Sequence, residues 1–407
     1  MTYPDSVNRP YSVPMTSPDD NTLPLEHASQ AFALPARGLY LDCAAQGPPL
    51  RAARDVVAEL MAREQDGLVG WAGDPDRWRA RIESVRTLAA GFFDGDADAV
   101  ALLPSAAYGL SLAARNLPLQ AGEAVLVLDG QFPSNLLPWR QRCHDCDARL
   151  VFAERVDGRD WTQAVLHALD TDPGIAVLAL PHAHWIDGSL LDLDRIAARA
   201  RESGARLVLD LSQSLGALPV HLDAWRPEFV VGVGYKWLLG PYGLAYLWAA
   251  PRWRDAGQPL EQGWMGYDND ALWRGDAHAA PEPLPGARRF DAGGVCDARR
   301  LALAEVGLRQ VLAWSREGLD EALRARIRTL CDALRSEGLG DWLPNGEVGH
   351  SCGLQPPTER AEALAAALHA EGVAFTLRRG RLRIAPHLHV AESDLHQLAA
   401  RIAMLAR

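Results

Sequence analysis

The chain has 407 residues and a formal charge of −11, and 48% of its residues are hydrophobic. This composition is typical of a globular protein with a sizeable core, and the length predicts two or three domains of roughly 150 residues each. The acidic balance argues against nucleic acid as a partner. No apolar run approaches the ~20 residues of a membrane helix. Six cysteines without a secretory signal indicate a cytoplasmic protein with reduced thiols.

Taken in chain order, the sequence begins with residues 1–36, which are rich in Pro, Ser and Asp and lack periodicity. They predict an extended arm or a disordered segment. Helical spacing follows over 51–65 and 76–93. Seven short apolar runs then alternate with helical stretches, at 99–103, 124–128, 149–152, 175–180, 206–209, 229–233 and 244–248. Such runs are typical of strands buried on both faces, so we predict an α/β fold with a mainly parallel seven-stranded sheet between helices.

The C-terminal third has a different pattern. Residues 277–287 are rich in Pro and Gly and predict a linker or a long loop. A long helix starts near Arg299, and short strands and helices alternate after it, which indicates a smaller α+β domain. We therefore predict an arm at 1–36, a large domain at 37–280 and a small domain at 281–407, with 37–75 able to pack against the small domain.

Two chemically informative residues follow neighbouring strands. Asp210 ends the run at 206–209, and Lys236 follows the run at 229–233. Ligands of an open α/β sheet bind at the carboxyl ends of its strands, so both side chains are expected on one rim. A lysine beside a carboxylate suits pyridoxal phosphate, because the amine forms a Schiff base and the carboxylate binds the pyridine nitrogen. Lys236, once released, can carry protons to and from the substrate Cα.

Two further turns on this rim suit the same cofactor. Phe132 follows the run at 124–128 and can stack on the cofactor ring. Ser105, Ala106 and Ala107 follow the run at 99–103 and open a helix, where backbone N–H groups bind phosphate. The small side chains let the phosphate approach the backbone.

At this point the residues resemble a known family. Residues 208–248 (VLDLSQSLGALPVHLDAWRPEFVVGVGYKWLLGPYGLAYLW) are similar to the core of the class V aminotransferase family. That family has the type I fold of pyridoxal-phosphate enzymes and includes cysteine desulfurases, kynureninase and isopenicillin N epimerase-like proteins. The similarity extends to 39–49 (LYLDCAAQGPP), 105–109, 132–139 (FPSNLLPW) and 381–389 (RLRIAPHLH). The combination of Asp-x-x-Gln with Tyr-Lys-Trp-Leu-Leu-Gly-Pro is highly specific.

The resemblance implies a role for each matching residue. Lys236 would be the Schiff-base lysine and Asp210 the partner of the pyridine nitrogen. Arg383 would hold the substrate carboxylate, for which a guanidinium is well shaped. Gln213 would donate a hydrogen bond to the cofactor's phenolic oxygen, and Phe132 would stack on its ring. The phosphate would be held by Ser105, Ala106, Ala107 and, as in kynureninase, the Tyr235 hydroxyl. The backbone at Ala45 and Gln46 would line the substrate pocket.

The family also implies a homodimer with sites at the subunit interface. Residues 290–297 would then reach the partner's phosphate. Many relatives carry a Thr or Glu and then an Asn where this chain has Gly294 and Asp297. Whether this loop still contacts the phosphate is therefore left open.

Several other residues allow two interpretations. His182 and His184 follow the run at 175–180, and we expect His184 or Trp185 to approach the cofactor or substrate; the alternative is that they only pack the loop. Cys143 and Cys146 have metal-site spacing but lack a second pair, so we predict no metal. Cys352 precedes the position of a desulfurase's sulfur-accepting cysteine and is expected to be structural. Core packing is the simpler role for Trp71, which could also line the pocket.

We predict an enzyme that acts on a small amino acid through a Cα carbanion. A lyase that cleaves a C–S bond or eliminates another β-substituent is favoured, and an aminotransferase or an epimerase is the alternative. A catalytically silent relative that binds the cofactor would be the non-enzyme alternative. No Gly-x-Gly-x-x-Gly follows the early strands, which argues against a dinucleotide-binding dehydrogenase.

Overall fold

A computed structural model describes residues 22–34, 37–65, 75–156 and 158–407. Trp71 and most of the predicted N-terminal arm lie outside these ranges. Within them, Leu25–Ala31 forms a 3-10 helix rather than an extended arm. Its neighbour Leu23 exchanges hydrogen bonds with the side-chain amide of Gln310, and the indole of Trp314 donates to the Leu23 carbonyl. These contacts hold residues 22–34 on the body of the protein.

The centre of the molecule is a seven-stranded sheet. Its spatial order is β2-β8-β7-β6-β5-β3-β4, and β8 alone runs antiparallel to both of its neighbours. The mainly parallel sheet predicted from the sequence is confirmed. The strands are β1 (Leu39–Tyr40, outside this sheet), β2 (Val100–Leu103), β3 (Ala124–Leu128), β4 (Arg149–Ala153), β5 (Ile175–Pro181), β6 (Arg206–Asp210), β7 (Phe229–Val233) and β8 (Ala245–Ala249).

Helices cover the sheet, and several begin at capping side chains. Ser105 caps α3, and Asp160 forms a capping box at α5, which satisfies amides that a helix start leaves unpaired. None of the described helices is both long and apolar enough to span a membrane. The helices are α1 (Arg51–Gln65), α2 (Pro75–Ala90), α3 (Ala106–Asn116), α4 (Leu137–Asp145), α5 (Trp161–Thr171), α6 (Leu193–Ser203), α7 (Leu222–Trp225), α8 (Pro251–Ala256), α9 (Asp270–Trp273), α10 (Ala298–Arg316), α11 (Leu319–Ser336), α12 (Thr358–Ala370) and α13 (Glu392–Ala406).

A second hydrophobic cluster lies in the C-terminal part. It joins α11, α12 and α13 to a three-stranded sheet of order β11-β12-β9, and β1 pairs with β10 beside it. The first hydrophobic cluster is the core around the seven-stranded sheet. The helix α10 packs in that cluster, and α11 contributes residues to both clusters. The predicted division at residue 280 therefore stays a prediction. The strands are β9 (Cys352–Leu354), β10 (Val373–Ala374), β11 (Thr376–Arg378) and β12 (Arg381–Ile384).

Candidate active site

A cavity opens at the carboxyl ends of β2, β3, β5, β6 and β7. Parallel strands bring these ends to one edge of the sheet, so residues far apart in sequence meet there. The cavity is lined by Pro104, Ser105, Ala106, Ala107, Gln131, Phe132, Ser134, Pro181, Ala183, Trp185, Asp210, Ser212, Gln213, Val233, Tyr235, Lys236, Tyr242, Gly243 and Leu244. Eight residues proposed from the sequence are among them: Ser105, Ala106, Ala107, Phe132, Asp210, Gln213, Tyr235 and Lys236.

Lys236 and Asp210 are the ionisable pair of this cavity. Both are about 92% buried, and each acts on the charge of the other. Burial lowers the pKa of the Lys236 ammonium to about 8, although the Asp210 carboxylate acts in the opposite direction. Burial raises the pKa of the Asp210 carboxyl, against the hydrogen bond that the Ser212 amide donates to it at 3.0 Å. A lysine with this pKa is partly neutral near pH 7 and can act as a nucleophile and as a proton carrier.

The lowered pKa of Lys236 makes a testable prediction for the cofactor-free protein. Only the neutral amine can bond to an aldehyde, so the rate of pyridoxal phosphate uptake should rise with pH and level off above about pH 8. Between about pH 8 and 10.5 the unfolded chain still holds the proton that the folded chain has lost. The contribution of Lys236 to the free energy of unfolding therefore rises over that window. Absorbance at varied pH measures uptake, and a midpoint near 10.5 would contradict the expectation.

The start of α3 faces the cavity with small residues and unpaired backbone amides. The Ser105 hydroxyl accepts from the Tyr108 amide at 3.2 Å, while Ala106 and Ala107 open the helix on the cavity wall. First-turn amides have no acceptor within their own helix, and the helix dipole favours an anion there. The phenol of Tyr235 lies nearby in the same lining, stacked on Tyr242 with ring centroids 3.8 Å apart. These donors fit the phosphate of the predicted cofactor.

Phe132 and Gln213 provide contacts that suit the flat ring of the cofactor. The Lys236 amine lies 5.7 Å from the ring centroid of Phe132, whose exposed fraction is 39%. Gln213 donates to the Ala44 carbonyl at 3.0 Å, which holds its amide beside the cavity. Ser212 lies in the same lining, where its side chain and its backbone amide both act by hydrogen bonding to lower the pKa of the Asp210 carboxyl. A polar aromatic ring that contacts Phe132 and Asp210 would fit this lining.

The segment 42–47 packs against the backbone of Tyr235 and Lys236. Gly47 donates to the Tyr235 carbonyl at 2.8 Å, and a Cβ at Gly47 would lie 2.2 Å from the Lys236 carbonyl oxygen. Only glycine allows this approach. Ala45 and Gln46 belong to this segment but do not line the cavity around Lys236. Their part in a substrate pocket stays a prediction.

Arg383 lies behind the Trp185 side of the cavity. It is 97% buried and donates to the Trp185 carbonyl at 3.1 Å, to Asp42 at 3.0 Å and to Thr376 at 3.0 Å. Its Nε has no described partner. The charge of Arg383 lowers the pKa of Lys236, so the two groups are close enough to interact. A substrate carboxylate held by Arg383 would share the guanidinium with Asp42.

The position of His184 differs from the prediction. Its Nδ1 pairs with the Asp187 carboxylate at 2.9 Å, and its ring packs on Trp161, so it does not line the cavity around Lys236. Trp185 lines that cavity instead, with its indole donating to the Gly130 carbonyl at 2.9 Å and its ring at 5.1 Å from Phe132. The two residues begin a turn that the Gly188 amide closes on the His184 carbonyl at 2.9 Å, and their different partners place the two side chains on different sides of it.

The other candidate ligands and cysteines lie away from this cavity. His182 packs on Trp225, and Cys352 is buried in β9. The buried Cys143 thiol donates to the Arg149 carbonyl. In the described part of the chain, no three metal-ligating side chains converge.

The loop 290–297, for which the family implies a contact with the partner's phosphate, is held within its own chain. Asp297 caps α10, and the Arg300 guanidinium donates to the Gly294 carbonyl.

Two further residues of the cavity are not predicted by the motifs. Tyr242 and Ser212 line the cavity, and both occur within or next to the Asp-x-x-Gln and Tyr-Lys-Trp motifs already identified. The more telling signal is a residue count: the chain has 40 arginines and Lys236 as its one lysine. An arginine cannot replace an amine that must lose its proton and form a covalent bond. That count alone singles out Lys236.

The sequence matches a family model. The model described as aminotransferase class-V covers residues 68–330, which is more than half of the chain. The protein therefore belongs to the class V aminotransferase family of pyridoxal-phosphate enzymes, and pyridoxal 5′-phosphate is its cofactor.

Individual proteins are similar over most of the chain. A kynureninase of Xanthomonas euvesicatoria is 27% identical, with 98% of each chain covered. A kynureninase of Deinococcus radiodurans is 29% identical over 66% of this chain, and the match spans only 65% of that enzyme's length. The solved complex of the cystine C–S lyase C-DES with its reaction product cysteine persulfide has a TM-score of 0.74 at 19% identity, covering 90% of this chain and 98% of that one. At this identity the structural likeness shows the fold.

Proposed function

We propose that the protein is a pyridoxal-phosphate-dependent lyase that cleaves a bond at Cβ of a small amino acid. The observation that carries the proposal is the buried Lys236 amine, which lies 5.7 Å from the ring centroid of Phe132 and interacts electrostatically with Asp210. The cofactor supplies an aldehyde that joins the substrate amine and a ring that withdraws electrons from Cα. We assign Asp210 to the ring nitrogen, the start of α3 to the phosphate, and Phe132 to the ring face.

In this assignment Lys236 moves the proton at Cα. Its pKa of about 8 lets the neutral amine accept that proton near neutral pH and return it later. Arg383 orients the substrate through its α-carboxylate, and its nearly complete burial strengthens that contact. Trp185 and Phe132 exclude water from one side of the cavity.

The lining of the cavity supports a substrate with a small, uncharged side chain. Of the described residues that line it, Lys236 alone is cationic, and Arg383, which does not line the cavity, is already assigned to the α-carboxylate. A second substrate carboxylate would therefore have no partner there. All six cysteines lie in the described part of the chain, and none lines the cavity. We therefore propose direct release of the leaving fragment, without a persulfide on the protein. A homodimer and a phosphate contact from 290–297 remain part of this proposal.

Turnover without an acceptor tests the proposal. The cofactor-loaded enzyme is incubated with single amino acids and no keto acid, and products are followed by mass spectrometry. We expect keto acid and a released fragment to accumulate well beyond one equivalent per subunit, with uncharged substrates preferred over Asp and Glu. Conversion that stops at one equivalent and resumes on adding keto acid would instead identify an aminotransferase. Inversion at Cα without a new product would identify an epimerase, and no turnover of any amino acid would identify a silent relative.

A further inference from the structure

A second cavity lies behind the wall of the active site. The wall consists of two segments, 129–132 and 183–187, which the hydrogen bond from Trp185 to Gly130 joins. Gln131, Ala183 and Trp185 face the first cavity. The second cavity is lined by Asp129, Gly130, Arg155, Trp161, His184, Ile186, Asp187, Arg379 and Arg381. We name it the arginine pocket after Arg155, Arg379 and Arg381.

The positive charge of this pocket exceeds what its acids neutralise. The Asp187 carboxylate is already engaged by Arg155 at 2.7 Å and by His184 at 2.9 Å. Arg381 donates to the Gly353 carbonyl and forms no ion pair with a described residue. The Arg379 guanidinium lies against Gly130 and has neither a hydrogen bond nor an ion pair within the described ranges. Asp129, at the rim, is the other carboxylate of the lining.

Two buried polar atoms in the same lining also lack partners. The Trp161 indole Nε1 and the His184 Nε2 belong to side chains that are 96% buried, and neither has a described hydrogen-bond partner. An indole N–H can only donate. Buried donors of this kind are rare in proteins, and leaving one unpaired costs about 1–3 kcal/mol. Both residues line the pocket. An acceptor held there would pair with the Trp161 indole, whereas the Nε2 of a neutral His184, whose Nδ1–H is donated to Asp187, would pair with a donor such as a protonated anion oxygen.

We propose that the arginine pocket binds a small anion with phosphate or carboxylate oxygens. Such an anion would accept hydrogen bonds from Arg379, Arg381 and the Trp161 indole. Guanidinium groups match planar or tetrahedral oxyanions through paired N–H donors, which makes arginine well suited to this contact. The chain as a whole carries a charge of −11 and repels anions, so a local group of three arginines marks a specific site. The proposal does not depend on the reaction catalysed in the first cavity.

Calorimetric titration of the cofactor-loaded enzyme tests the proposal. Inorganic phosphate and citrate are titrated separately at constant ionic strength, with the cofactor's phosphate occupying the start of α3 in the first cavity. We expect saturable binding of at least one of them at one site per chain, and the stronger ligand distinguishes phosphate from carboxylate recognition. Arg379→Gln should weaken that binding about tenfold or more, because a hydrogen bond to a charged group is lost. Since the Arg379 side chain has no described partner, this variant should keep the fold.

The neighbouring residue provides a matched control. Arg378 has the same charge and is exposed, but it does not line the pocket. Arg378→Gln should leave the affinity for the anion unchanged. No saturable binding of either anion by the unmodified enzyme would overturn the proposal. An equal loss in the two variants, or no loss in Arg379→Gln, would overturn it as well.

Discussion

Replacing Lys236 by Ala should lower the turnover rate by about 10²- to 10⁴-fold. The variant loses both the amine that bonds to the cofactor and the base that moves the Cα proton. Because no other lysine exists in the chain, it also loses every side-chain amine. Borohydride treatment of the cofactor-loaded protein should therefore fix the cofactor on Lys236 of the unmodified enzyme, adding the cofactor's mass less one water plus two hydrogens, and should modify no side chain of the variant.

Lys236→Arg is the matched control for charge and size. A guanidinium stays protonated in proteins, so this variant keeps a cation beside Asp210 but cannot bond to the cofactor or accept a proton. We expect it to be as inactive as Lys236→Ala. Unchanged thermal unfolding would show that both variants fold. Substantial turnover in either one would refute the role assigned to Lys236.

Replacing Asp210 by Asn should lower kcat by about 10²- to 10³-fold, the usual effect of losing one group that stabilises developing charge. The amide is nearly the same size and can still accept from the Ser212 backbone. It lacks the negative charge that keeps a proton on the ring nitrogen, so electron withdrawal from Cα weakens. Steady-state kinetics at saturating cofactor measures the loss, and cofactor titration separates it from weaker binding.

Asp223, an exposed acidic residue 13 positions after Asp210, provides the matched control variant. Asp223 lies in α7, outside the cavity, and Asp223→Asn removes the same charge. We expect its kcat to stay close to that of the unmodified enzyme. If Asp210→Asn were equally mild, the proposed contact with the ring nitrogen would be wrong.

The strands of the central sheet, and the residues that meet at their carboxyl ends, were predictable because both follow from local sequence patterns. Buried apolar runs predict strands, and strand ends converge by topology, so the meeting of Asp210 and Lys236 follows from the sequence. The contact of Arg383 with Asp42 does not follow, because it depends on how the second cluster packs against the segment after β1. The choice between His184 and Trp185 depends on which way one loop residue points, and a hydrogen bond to Gly130 decides it.

The arginine pocket was also beyond prediction from the sequence. Arg155 follows β4, whereas Arg379 and Arg381 belong to the turn between β11 and β12. More than 200 residues separate them, and no periodic pattern links the two regions. Only the packed structure brings them together around Asp187.

The single, buried lysine also makes the folded state open to a simple physical measurement. A lysine-specific protease can cut this chain at one peptide bond, after Lys236, and the rim of the central sheet protects that bond. In the cofactor-free protein, cleavage requires the segment around Lys236 to open. When opening and closing are fast, the rate at which the two fragments form reports the population of molecules in which that segment is open. Native proteolysis would then give the opening free energy of the catalytic rim directly, without a label or an engineered site.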